Sequence, residues 1–266
     1  LTDWQATLGE PFWPSIYLAN HDQPRVVSRY GDDGDYRYQS ATALAAIFYL
    51  QRGTPIVYQG DEIAMANYPI QQVDEIVDIE SRNAYTYLVK DEGVSPEEAL
   101  ARVRGNARDN GRTPMQWSDR PNAGFTDGEN APWYPPNPDY LRVNAAAQAL
   151  CPPSPEIGVS IAEAEAPPSS VLCFYRRLFA LRKSSDALLR GSYASLPLPE
   201  ASNVAAYIRQ SEGDQVVVVA ILSEEQASWE ISYANLTNLL SNDPPSSSEG
   251  SHRLRPWECR ILSREL

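Results

Sequence analysis

Apolar positions in this chain fall into a few short runs separated by long polar stretches. Ser15-Ile16-Tyr17-Leu18 is a short apolar run that ends in the polar cluster Asn20 to Arg25. That pattern predicts a buried parallel strand delivering functional groups at its C-terminal end. Residues Tyr38 to Tyr49 place apolar side chains at helical spacing, Gly53-Thr54-Pro55 breaks the helix, and Ile56-Val57-Tyr58 resumes as a strand. The expected unit is strand, helix, strand with a right-handed crossover.

After Gln59-Gly60-Asp61-Glu62, to about residue 169, the chain is rich in Pro, Asn, Asp and aromatic residues, and only Pro96 to Arg104 reads as a helix. Loops this long are functional or disordered. Cys151 to Ser170 is low-complexity and is expected to be a mobile insertion, whereas the rest carries too many Trp, Tyr and Phe for a floppy linker. Val171 to Lys183 has an amphipathic helical pattern with basic residues toward its end. A boundary near Ser184 to Gly191 divides the chain into expected domains 1–185 and 186–266. Beyond it, Ala205 to Ile208, Val216 to Leu222 and Glu258 to Leu262 read as strands of a small antiparallel β domain, with Ser241 to Ser251 as a surface loop.

With 266 residues the chain has room for one large domain or two ordinary ones. A formal net charge of −13 argues against a nucleic-acid partner, because phosphate binding needs a concentrated basic surface. No stretch approaches the ~20 apolar residues of a membrane span, so no membrane partner is expected. Leu1-Thr2-Asp3-Trp4-Gln5 lacks a basic-then-apolar leader pattern. Cys151, Cys173 and Cys259 are odd in number and widely spaced, which favours neither a disulfide framework nor a zinc site. The expectation is three reduced thiols in a cytoplasmic protein, with no metal and no cofactor in this chain. His252 has no Cys, Asp or His at metal-ligand spacing and reads as a surface histidine.

The string Asn20-His21-Asp22-Gln23-Pro24-Arg25 carries the candidate chemistry. Asp22 is a carboxylate, His21 a hydrogen-bond donor beside it, and Arg25 a positive charge placed to keep Asp22 ionised. On residue types alone such a string is more often a polar loop with a helix cap than a catalytic element. Further segments follow in order: Gly53 to Ile63 (GTPIVYQGDEI), Asp78-Ile79-Glu80-Ser81, Ala107 to Trp117 (ARDNGRTPMQW), Asn122-Ala123-Gly124-Phe125, Pro132-Trp133 and Arg253 to Glu258. Together these resemble the α-amylase superfamily, glycoside hydrolase family 13, of the oligo-1,6-glucosidase and α-glucosidase type. Three departures stand out: Gly111 replaces the usual alanine, Asp61 the usual glutamate, and the insertion at Cys151 to Ser170 interrupts a normally short connection.

The resemblance covers the chain from about Trp13 to its end. It implies the C-terminal portion of a (β/α)₈ TIM barrel, namely the last two strands, the long loop after the eighth and the last helix, followed by a small antiparallel β domain. It implies Asp22 as the third conserved carboxylate, with His21 and Arg108 binding substrate. Arg112 reads as a loop pin rather than a substrate contact, and Trp133-Tyr134 as packing in a Pro-rich loop rather than a sugar platform. The activity implied is hydrolysis of short α-glucosides with retention, with phosphotrehalase, dextran glucosidase and sucrose-isomerising relatives as alternatives. A glycosidase-like binding module without activity is the alternative of another class. In the family the nucleophilic Asp and the acid/base Glu lie on the fourth and fifth strands, upstream of Asn20. Active sites on barrels are assembled from several strand ends, so this chain alone is expected to be inactive and its partner to be the missing N-terminal barrel portion of the same protein.

Overall fold

The computed structural model describes Gln5, Thr7 and residues 12–151, 170–196, 198, 203–228, 236–243 and 253–264. Residues 152–169 of the expected insertion, residues 244–251 of the expected C-terminal surface loop, and His252 lie outside the described residues. In chain order the elements are β1 (Ser15–Ile16), α1 (Val26–Tyr30), α2 (Arg37–Tyr49), β2 (Thr54–Pro55), α3 (Ile79–Lys90), α4 (Pro96–Arg104) and α5 (Ala145–Gln148). They continue with α6 (Val171–Ser184), α7 (Asp186–Arg190), β3 (Ser192–Ser195), β4 (Val204–Gln210) and β5 (Gln215–Ile221). The last are β6 (Ala227–Ser228), β7 (Leu236–Ser241), β8 (Arg253–Leu254) and β9 (Cys259–Arg264). Two compact units result, one of residues 1–17, 34–56 and 149–266, the other of residues 18–33 and 57–148.

The first unit is built on a five-stranded antiparallel sheet in the order β3-β4-β5-β9-β7. β5, Gln-Val-Val-Val-Val-Ala-Ile, is buried along its whole length, as a central strand covered on both faces must be. One face contributes Val204, Ala206, Ile208, Val217, Val219 and Ile221 to a core closed by Leu254 and Leu262. The other face meets α2, whose residues Ser40 to Ile47 are all buried. There the Tyr207 hydroxyl donates to the Ala46 carbonyl at 3.4 Å. The C-terminal carbonyls of α2 and the turn after it are capped by side chains. Arg182 of α6 donates to Tyr49, Gln51 and Gly53, and Arg209 of β4 to Leu50. Satisfying buried carbonyls this way removes a cost of about 1–3 kcal/mol for each group left unpaired.

β1 and β2 pair in parallel, Ser15 opposite Thr54 and Ile16 opposite Pro55. The second strand therefore sits earlier than the expected Ile56-Val57-Tyr58, although Ile56 N still donates to the Ile16 carbonyl at 2.7 Å. Gly53 makes the pairing possible. Its φ is +137°, and a Cβ there would lie 2.5 Å from the Pro14 carbonyl oxygen.

Cys151 and Cys173 are joined by a disulfide with a Cα–Cα separation of 5.6 Å, and Cys259 is free and buried. The expectation of three reduced thiols is thereby corrected, and the cytoplasmic assignment drawn from it loses that support, since disulfides persist in oxidising surroundings. Odd cysteine number hid the pair, because parity says nothing about which two sulfurs a fold brings together. Among the described residues no helix is long and apolar enough to cross a membrane.

The second unit is mostly irregular backbone fixed by buried polar side chains. Ser95 caps α4 and Pro96 occupies its first turn, which reproduces the expected helix. α3 was not anticipated in the sequence. It starts at Asp78, whose side chain accepts from Glu80 N and Ser81 N, and Ser81 is its only buried residue. With so little apolar periodicity the helix is marked by its cap alone. α3 and α4 pack around Ile70, Ile76, Val103 and Ala107, with Tyr68, Tyr85, Leu88 and Leu100 against them. Tyr134 is buried and meets Tyr68 edge-on, as expected for packing, while Trp133 stays exposed.

Candidate functional site

The second unit brings His21, Asp22 and Arg108 into one cluster. Residues 20–23 form a tight turn in which Gln23 N donates to the Asn20 carbonyl at 3.2 Å and Asp22 N to Asn20 Oδ1 at 2.8 Å. This self-bonded turn pushes the side chains of His21 and Asp22 outward, where they are 71% and 47% exposed. His21 Nε2 lies 3.3 Å from Asp22 Oδ2.

Behind the turn, Arg25 is completely buried. Its guanidinium donates to the carbonyls of Gln59, Asn110 and Thr113 and to Thr113 Oγ1, and it lies over the Tyr58 ring. Arg25 was expected to supply positive charge to Asp22. Instead its side chain is spent on backbone oxygens that tie the 20–25 turn to two other loops. Burial lowers its pKa, with Asp61 the main opposing influence.

The positive charge at Asp22 comes from the segment 108–112, a single 3-10 turn that places Arg108 and Arg112 on either side of a buried Asp109-Asn110-Gly111. Arg112 Nη2 lies 2.5 Å from Asp22 Oδ1, and Arg112 Nε donates to the His21 carbonyl at 2.9 Å. Arg112 is thus a loop pin, as expected, but one of the groups it pins is the candidate carboxylate itself. Gly111 permits the close approach: a Cβ there would run into the Gln23 carbonyl oxygen. The Tyr58 hydroxyl donates to the Gly111 carbonyl at 2.7 Å.

Arg108 Nη1 is 3.9 Å from Asp22 Oδ1, at the limit of an ion pair, while Nη2 lies 2.7 Å from Asp78 Oδ1 and 3.3 Å from Glu80 Oε1. The bond to Asp78 raises the Arg108 pKa. Asp78 is buried, which alone pushes its carboxyl up. Bonds from Arg108 and Ser81 outweigh that and hold it at about 2. Asp78 and Glu80 were visible in the sequence only as a motif. Their membership in the cluster follows from an N-cap that turns α3 toward Arg108, a long-range contact that no local pattern encodes. Chemically the cluster is an exposed carboxylate held by Arg112, with Arg108 at 3.9 Å and an imidazole beside it, a set of charge-assisted donors and acceptors open to a polar ligand.

Several proteins and solved structures are similar to this chain. The family model described as "Alpha amylase, catalytic domain" matches residues 1–191. An oligo-1,6-glucosidase of Parageobacillus thermoglucosidasius is 39% identical over 272 residues, covering 100% of this chain and 45% of that protein. A trehalose-6-phosphate hydrolase of Escherichia coli is 36% identical, covering 96% of this chain and 43% of its own length. A crystal structure of a trehalulose synthase MutB mutant in complex with glucose superimposes with a TM-score of 0.81 at 36% identity, covering 98% of this chain and 45% of that one. The chain therefore spans under half the length of the relatives it matches. With a family model over most of its residues and full-length sequence similarity on this chain's side, the chain belongs to the α-amylase family of glycoside hydrolases.

Proposed function

We propose that this chain is the C-terminal part of an exo-acting α-glucosidase of the oligo-1,6-glucosidase type. In this reading residues 1–185 hold the last two strands of a TIM barrel, the long loop after the eighth strand and the last barrel helix, and residues 186–266 form the C-terminal antiparallel β domain. The whole protein releases glucose from short α-glucosides with retention of configuration. Its nucleophilic Asp and acid/base Glu lie upstream of residue 1, so the chain alone does not hydrolyse glycosides.

The observation that supports this most is the convergence of His21, Asp22, Arg108 and Arg112. Retaining glycosidases pass through an oxocarbenium-like transition state and strengthen bonds to ring hydroxyls as the ring distorts. Asp22 fits that role: it is exposed enough to meet a sugar, and Arg112 fixes its rotamer before substrate arrives. His21 binds the same ring and Arg108 the neighbouring hydroxyls. Binding energy realised chiefly in the distorted ring raises turnover rather than ground-state affinity.

Charge at the site favours a neutral glucoside over a phosphorylated one. Asp22, Asp78 and Glu80 set three carboxylates against the two guanidiniums of Arg108 and Arg112, a balance of −1 from these five side chains. Each of those arginines is already paired with a carboxylate, which lowers what either would gain from a phosphoryl group. The test is to assay the complete protein on isomaltose and on trehalose 6-phosphate. Preferential hydrolysis of isomaltose supports the reading; preference for the phosphorylated sugar contradicts it.

A further inference from the structure

Two dipeptides far apart in sequence hold each other reciprocally. The buried Asp109 carboxylate accepts through Oδ2 from Val77 N at 3.1 Å and from Asp78 N at 3.0 Å. The buried Asp78 carboxylate accepts through Oδ1 from Arg108 Nε at 2.8 Å, with Arg108 Nη2 at 2.7 Å from the same oxygen. Residues 77–78 and 108–109 are therefore locked side chain to backbone in one direction and side chain to side chain in the other. Asp78 makes a third connection, since its Oδ2 accepts from Ser81 Oγ at 2.7 Å and Ser81 N at 3.3 Å and so starts α3. Two nitrogens of the guanidinium are drawn to a single buried oxygen, and this fixes its plane. Only Nη1 then points away from Asp78, and it is the nitrogen nearest Asp22.

We propose that Asp78 is a positioning residue which sets the Arg108 guanidinium so that its Nη1 edge faces Asp22 and the substrate, with Asp109 holding Asp78 in place. The inference rests on the reading that Arg108 meets substrate. A cap alone needs no charge, because asparagine caps helices as well as aspartate does. The ion pair to Arg108 is what a buried, fully ionised Asp78 adds. An arginine tethered in this way loses little freedom on binding, whereas an untethered one must be ordered by the substrate itself.

The test is a double-mutant cycle in the complete protein with Asp78→Asn, Arg108→Ala and both together, read as kcat/KM on isomaltose and as glucose affinity by calorimetry. Ser81→Ala serves as the control, removing one of the cap's bonds without touching Arg108. Asp78→Asn is expected to lower kcat/KM by at least about tenfold with a thermal midpoint close to that of Ser81→Ala, and to have less than about twofold effect once Arg108 is alanine. Equal losses from Asp78→Asn in the two backgrounds, or none in either, overturn the inference while leaving the proposed activity standing. A wild-type protein that neither hydrolyses isomaltose nor binds glucose overturns both.

Discussion

Arg112 reaches across ninety residues of sequence to place its Nη2 2.5 Å from Asp22 Oδ1 while its Nε holds the His21 carbonyl. One planar group thus fixes both the carboxylate and the turn that carries it. A lysine has a single point of charge and cannot do both. Arg112→Lys in the complete protein is therefore expected to reduce kcat/KM by about tenfold or more, corresponding to the loss of one charge-assisted hydrogen bond. Steady-state kinetics checks this, and wild-type values for the lysine variant would show that the pairing does not matter.

Asp61 gives the second unit a pH dependence. It is 4% exposed, and neither carboxylate oxygen has a well-formed hydrogen bond. Burial raises its pKa to about 7 despite the pull of Arg25. Because the folded value lies above the ordinary carboxylate value, the folded state holds this proton more tightly than the unfolded one. The contribution to stability is full below about pH 4, falls as pH rises toward 7, and is absent above it, a span of at most about 4 kcal/mol. Asp61→Asn should raise the melting temperature at pH 8 and change it little at pH 5. Thermal denaturation at the two pH values decides; equal shifts at both would contradict the assignment.

The Cys151–Cys173 disulfide closes a loop with a sequence separation of 22. Constraining a loop of that length in the unfolded chain stabilises by about 3 kcal/mol in the chain-entropy model. Peptide mapping without reductant is expected to recover the two cysteines in one linked species, with Cys259 alone available for alkylation after unfolding. A reductant or Cys151→Ser should lower the melting temperature measurably. Three free thiols in the unreduced, unfolded protein would contradict the pairing.

Arg25 separates stability from chemistry. Its guanidinium satisfies the carbonyls of Gln59, Asn110 and Thr113. Arg25→Met leaves those acceptors buried without donors and should cost roughly 3–5 kcal/mol of stability, a loss seen in denaturant titration. If Arg25 instead served mainly to charge-balance Asp22, the variant would melt normally and lose only activity.

Much of this architecture was legible in the chain. α2 and α6 follow from apolar spacing and α4 from its helical stretch, and β4, β5 and β9 from short apolar runs between turn-rich stretches. His21, Asp22 and Arg108 were identifiable as candidates and do come together. What escaped were contacts made by long polar side chains across large sequence separations. Arg25 reads as a neighbour of Asp22 because it is three residues away, yet the chain turns it inward. Arg112 and Asp78 look like loop and cap residues, which they are, and their second function appears only when the 20–25, 77–81 and 108–112 segments are assembled. α3 escaped because a helix burying little beyond a serine leaves no apolar period to read.

The most direct test is to follow by proton NMR the glucose released from isomaltose by the complete protein, wild type against Asp22→Asn. The account predicts that the α-anomer appears first, and that Asp22→Asn slows turnover on the order of 10²–10³-fold or more with an unchanged melting temperature. First appearance of the β-anomer, or a near-normal rate for Asp22→Asn, would contradict it.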